Sequence, residues 1–206
     1  MALAEFQRAF ADLIASPERC LAARAPASTV FDGYDLTPRE TARIQAMVRD
    51  RGMSINCTLY RVNRLTPVYS VLPLSCKLLG ECLAAELDGF WGASRDATLQ
   101  YGREAWRFGL WIQDRIASGI LSPGPVEDAV RFELAAFEVR TAPSDIDDDN
   151  AFPHPRKRLV SVRYDPDLLL DPESNKELLV PLARPAWLML DGTGHELKVV
   201  RIAAAP

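Results

Sequence analysis

Over the first 140 residues apolar positions recur at helical spacing; beyond residue 155 they alternate. Leu3, Phe6, Phe10, Leu13 and Ile14 fall on one side of a helix with a period near 3.6. Ser16-Pro17 predicts the cap and first position of a second, short helix, and Pro26 to Gly33 a loop. Thr37-Pro38-Arg39-Glu40 is the strongest local signal: a capping threonine, a proline suited to the first turn, and a glutamate that can reach back. The helix it opens carries Ile44, Met47 and Val48 inward and ends near Gly52.

A further helix is predicted from Ser54 to Leu65, with Pro67 as a break or kink and Pro73 as a second boundary. Residues 74–91 return to helical spacing through Leu74, Leu78, Leu79, Leu83, Leu87 and Phe90. Thr98 to Ser118 reads as one long amphipathic helix with Tyr101, Trp106, Phe108, Trp111 and Ile112. Pro123 and Pro125 punctuate the start of the last helix, 126–140, which carries Val130, Phe132, Leu134, Phe137 and Val139.

The character then changes. Ser144 to Asn150 reads SDIDDDN, acidic and turn-rich, and Pro153-His154-Pro155 follows, which places a domain boundary here. Strands are predicted at Leu159–Tyr164, Leu178–Val180, Trp187–Leu190 and Leu197–Ile202, with Asp191-Gly192-Thr193-Gly194 as a hairpin connection. The expected fold class is α+β: an all-α N-terminal domain over 1–143 and a small antiparallel β-rich module over 152–206.

Charge and composition narrow the function classes. A net charge of −4 weakens nucleic-acid binding as a default, because phosphate recognition rests on excess Lys and Arg. No apolar run approaches the roughly eighteen residues that a membrane span needs. The opening segment carries Glu5 and Arg8 among spaced apolar residues, so it does not read as a secretory signal. Cys20, Cys57, Cys76 and Cys82 lie in mostly apolar surroundings, which suits a reduced cytoplasm and buried, inert thiols.

Catalytic signatures are missing. His154 and His195 have no partner at metal-ligand spacing, and the cysteines form no CxxC pair. Asp145, Asp147, Asp148 and Asp149 lack the glycine and distal glutamate of a calcium loop and read as an acidic linker. Gly192 and Gly194 are not followed by a helix, so they form no phosphate loop. The expectation is a chain without catalytic residues, metal ligands or cofactor.

Two features stand above background. Arg39, Arg43, Arg49, Arg51, Arg61 and Arg64, set against Glu40 and Asp50, give the stretch 39–64 a net charge of +4. Arginine without lysine suits carboxylate or phosphate contacts, though a solvated face with internal pairs is the plainer account. The second feature is the C-terminal sheet, whose short strands leave room for an open edge that accepts an extended peptide. The strand positions that would take part are Leu159, Val160, Val162, Leu188, Leu190 and Val199.

Asn56-Cys57-Thr58-Leu59-Tyr60-Arg61-Val62-Asn63-Arg64, then Leu72-Pro73 and Leu78-Leu79-Gly80, resembles a bacterial family labelled as a DNA-binding domain. That family's pattern is a Y-R-x-N motif, a leucine-rich helix, a proline and a leucine-leucine-glycine stop. The opening L-x-E-F-Q-R-A-F is similar to its first helix. Phe132-Glu133-Leu134 looks like its last, where an acidic residue sits inside an apolar stretch. The likeness covers about residues 1–140; the NCTLY start and the C-terminal region depart from it.

The resemblance implies a partner subunit of multinuclear non-haem iron oxidases, enzymes that modify cysteines in ribosomally made precursor peptides. Tyr60, Arg61 and Asn63 match the central motif and Leu79-Gly80 the helix stop, as structural or docking positions. The expected partners are therefore the iron oxidase and the precursor's leader peptide; the acidic balance counts against nucleic acid, and the lack of a long apolar run predicts no membrane. The rival is a DNA-binding regulator that uses the Arg39–Arg64 stretch.

Overall fold

The computed structural model describes residues 2–25, 28–93, 101–143, 154–171 and 173–202. The fold class is α+β: helices fill the N-terminal two thirds, and a three-stranded antiparallel sheet closes the C-terminal part. The chain divides into two units, 1–66 and 67–206. The acidic stretch 144–150 and the expected helix start at Thr98 lie outside the described residues.

In the first unit α1 (Ala2–Ala15) buries Ala9 and Leu13, one helical turn apart. Ser16 caps α2 (Pro17–Ala22) by accepting the Arg19 amide at 3.4 Å. The expected capping box forms at α3 (Pro38–Arg49): Thr37 Oγ1 accepts the Glu40 amide, and Glu40 accepts the Thr37 amide at 2.9 Å. Ile44 and Val48 of α3, with Phe31, Met53 and Cys57, complete the core. Asp50 Oδ1 takes the Gly52 amide at 2.7 Å as the chain turns into α4.

Helix α4 runs from Arg51 to Val71 straight through Pro67, so the expected break there is absent. Proline removes one ladder hydrogen bond, to the Asn63 carbonyl, and its ring faces the buried side. Packing over the rest of a 21-residue helix outweighs that single loss.

The second unit begins with the end of α4, then α5 (Pro73–Leu79) and α6 (Cys82–Ala93). Residues 74–91 are therefore two helices, split at Gly80, whose φ of 54° is a left-handed conformation that side chains resist. Helix α7 (Tyr101–Ala117) locks onto α6 through Glu86. That buried carboxylate accepts Trp111 Nε1, Arg115 Nε and Arg115 Nη2, each at 3.0 Å.

Helix α8 (Pro125–Thr141) is the central element of this unit, with nine buried side chains. One side meets α7, where Gly109 leaves room for Leu134. Another side carries Ala129, Phe132 and Val139 into a core shared with Val160, Val162, Leu188 and Leu190 of the sheet. The composition change at 144–155 thus marks the switch from helix to strand. The division between units falls earlier, because α8 and the sheet bury one core together.

The sheet order is β1 (Lys157–Tyr164), β2 (Pro181–Asp191) and β3 (Lys198–Ile202), all antiparallel. A one-turn helix α9 (Pro166–Leu169) follows β1. The predicted strand at 178–180 is instead the end of a 3-10 turn, Lys176–Leu178, and the approach to β2. Leu178 and Val180 are exposed there, so their apolar character does not report burial.

Candidate peptide site at the sheet edge

The two outer edges of the sheet differ. Backbone groups in an antiparallel strand point alternately toward and away from the neighbouring strand. Gly192 donates its amide to the Arg156 carbonyl at 2.9 Å, which fixes the parity. Even-numbered residues of β1 bond β2, and odd-numbered residues of β1 face outward. Helix α8 covers that outward side. Arg131 donates to the Ser161 carbonyl at 2.9 Å, and the buried Asp128 carboxylate accepts the amides of Arg163 and Tyr164. Arg163 and Arg131 also pair with Glu127, at 2.5 and 2.8 Å. The first edge is closed by charged side chains, one of the standard ways to blunt an edge strand.

The same parity carried across β2 sets Met189 against Val200 and Asp191 against Lys198 as hydrogen-bonded pairs. Val199 and Arg201 then turn both their amide and their carbonyl outward on β3. Among the described residues nothing bonds these groups.

Beside this open edge lies a cleft of about 410 Å³, walled by α5, α8 and β3. Val199, Leu197, Leu74 and Phe137 give it apolar walls, and Lys77 and Arg140 lie at its polar rim. Glu133 stands in its lining. Its Oε1 accepts the Leu74 amide at 2.7 Å, and its Oε2 accepts the amide and hydroxyl of Ser75 at 3.0 and 2.5 Å. Burial raises the Glu133 carboxyl to about 7, outweighing the three donors that pull the other way. The carboxyl therefore anchors the first turn of α5 and changes charge near neutral pH.

The sequence-predicted strand positions separate on this geometry. Val160, Val162, Leu188 and Leu190 are core side chains and offer a ligand nothing. Leu159 lies half-buried on the opposite face, in register with Met189 and Val200. Val199 alone of the six sits on the open edge, 39% exposed.

The motif positions of the resemblance spread round α4 and over α5. Asn56 and Asn63 are exposed, Tyr60 and Arg61 half-buried, and Arg64 buried with its guanidinium 5.8 Å from the Tyr60 ring. Asn56 also borders a hollow in the first unit formed with Phe10, Met47 and Met53. Leu79 is buried, and Gly80 makes the predicted helix stop.

Nor is the arginine stretch one surface. Arg39, Arg43, Arg49 and Arg51 are exposed, whereas Arg61 and Arg64 are drawn inward. Arg49 donates to the Arg24 carbonyl at 3.2 Å and so ties the chain locally. Arg43 lies 5.9 Å from the Phe6 ring.

Three of the four thiols are buried as expected, but Cys82 is exposed at the start of α6. Its place in an apolar run misled, because it falls on the outer side of that helix. Among the described residues no group of three His, Cys, Asp or Glu side chains could hold a metal ion. None of the described helices is long and apolar enough to cross a membrane.

The Asp128, Glu127 and Arg163 network was not singled out in the sequence. An aspartate inside an otherwise apolar helix face was the available signal. No protein-family model, curated protein or solved structure matches the chain.

Proposed function

We propose that this chain is a non-catalytic partner protein of a multinuclear non-haem iron oxidase, holding the precursor peptide while its cysteines are modified in the cytoplasm. The resemblance across residues 1–140 supports the choice of enzyme. The peptide role rests on one observation: the outward backbone groups of Val199 and Arg201 on β3, next to an apolar cleft. An extended segment added there would gain main-chain hydrogen bonds from β3. Its alternate side chains would enter the cleft lined by Leu197, Val199 and Phe137.

The test is co-purification of the full chain with an oxidase of this class and its precursor peptide, followed by a modification assay with and without this protein. Both partners should be retained at micromolar concentration, and modification should require the chain. Failure to retain either one, with modification proceeding in its absence, contradicts the reading. Steeply salt-dependent binding to duplex DNA in place of peptide retention would instead favour a regulator acting through Arg39, Arg43 and Arg51.

A further inference from the structure

Side chains along a strand point alternately to the two faces of its sheet. Leu188 and Leu190 of β2 are buried in the core shared with α8, and the register sets them against Arg201 and Val199 of β3. Val199 and Arg201 therefore project on the α8 face, about 7 Å apart along the strand, and Val200 between them projects on the other. These are the same two residues whose amides and carbonyls turn outward. The edge thus presents an apolar and then a cationic side chain in fixed register with its open backbone groups.

Val199 lines the cleft, and the rest of the lining follows helical spacing. Glu133, Phe137 and Arg140 stand at i, i+4 and i+7 on one stripe of α8, and Leu74 and Lys77 stand three apart on α5. Among the described residues of that lining Glu133 is the single carboxylate. Both its oxygens are taken, by the Leu74 amide and by the amide and hydroxyl of Ser75. Lys77 spends one of its three donors on the Ser174 carbonyl, at 2.8 Å. Arg140 is exposed, and neither it nor the exposed Arg201 has a carboxylate partner among the described residues. The slot is apolar, its rim is cationic, and its one anion is already engaged by the protein.

A strand added to β3 puts every second residue on the α8 face, whichever way it runs. The residue opposite Val199 meets the cleft. The residue two positions away lies opposite Arg201, where a cross-strand pair of opposite charge is favoured and a like charge is repelled. The residue between them lies beside Val200, which is 52% exposed, and meets no pocket.

We propose that β3 selects an extended peptide with a large apolar residue and, two positions from it, an aspartate or glutamate, the position between being free. Arg201 reads the acid, and Arg140 and Lys77 bias the rim against a basic segment. This inference rests on the strand-addition reading and gives the chemistry of the segment it would take.

The test uses the full chain and three labelled peptides in a short threonine-rich frame. The first has glutamates two residues on either side of a phenylalanine, which serves both strand directions. The second moves the glutamates next to the phenylalanine, with composition and charge unchanged but the acids on the opposite face. The third is the first with lysines for glutamates. Fluorescence anisotropy should show the first binding about threefold more tightly than the second and about tenfold more tightly than the third, with the margin over the third narrowing as salt rises. Arg201→Glu, an exposed change that should leave circular dichroism unaltered, should invert the order of the first and third. Amide exchange separates this inference from the reading beneath it. Protection of Val199 and Arg201 with equal binding of all three peptides, with no preference for the first over the second, or with indifference to Arg201→Glu overturns the selection rule and leaves strand addition standing. So does a precursor leader that protects both amides when the first peptide does not bind. No protection by any peptide, the leader included, overturns both.

Discussion

Glu133 on α8 accepts both the amide and the hydroxyl of Ser75 through one carboxylate oxygen, joining the central helix to the first turn of α5. Its ordinary value of 4.5 is raised to about 7 by burial. Between those values the folded chain keeps a proton that the unfolded chain has released. This group's contribution to stability is thus full below about 4.5 and lost as pH rises through 7. Denaturant midpoints should show wild type losing roughly 3 kcal/mol across that window relative to Glu133→Gln, in which the titration is removed. Parallel curves for the two proteins would contradict a buried, titrating carboxyl.

Asp128 closes the first edge of the sheet by accepting the Arg163 and Tyr164 amides from a fully buried position. Asp128→Ala leaves those amides without their acceptor and removes the 3.5 Å ion pairs to Arg131 and Arg163, and should cost about 2–4 kcal/mol in equilibrium unfolding. A loss below about 0.5 kcal/mol, the scale of an ordinary surface change, would mean that the edge is not held there.

Gly192, at the end of β2, lies against α8. An added Cβ would sit 2.5 Å from Val139 Cγ1 and 3.2 Å from the Val139 carbonyl. The backbone atom cannot swing away, so Gly192→Ala should destabilise by about 1–3 kcal/mol. Gly33→Ala, where an added Cβ meets open space, is the control and should shift the thermal midpoint far less. Equal shifts would contradict the close approach of strand to helix.

The four thiols should separate by reactivity. Cys20, Cys57 and Cys76 are buried, and desolvation pushes Cys57 up to about 11 and Cys76 up to about 12. Alkylation of the native chain should modify Cys82 first and leave the other three until denaturant is added, as mass spectrometry would show. Early labelling of Cys76 would mean that the α5 contact opens readily.

Helices were legible in the sequence where cap chemistry or strict periodicity marked them, as at Thr37-Pro38-Arg39-Glu40 and along 126–140. Pro67 misled because a local rule about one hydrogen bond met a long helix packed along its buried side. Leu178 and Val180 misled because β-branched and leucine-rich runs signal strands only when they are buried. The site divided in the same way. Alternation identified β1, β2 and β3, but not which strand lay in the middle, so core residues such as Leu188 and Leu190 entered the candidate list with Val199. Which edge is closed depends on Asp128 and Arg131 meeting β1 from some thirty residues away, a relationship that no local pattern carries.

The peptide reading is tested most directly by amide hydrogen exchange across β3, with and without a synthetic precursor leader peptide. An added strand should protect the Val199 and Arg201 amides by about tenfold or more and leave Val200, already bonded to β2, nearly unchanged. Unchanged exchange at Val199 and Arg201 with saturating peptide, or protection confined to another element, would contradict strand addition at this edge.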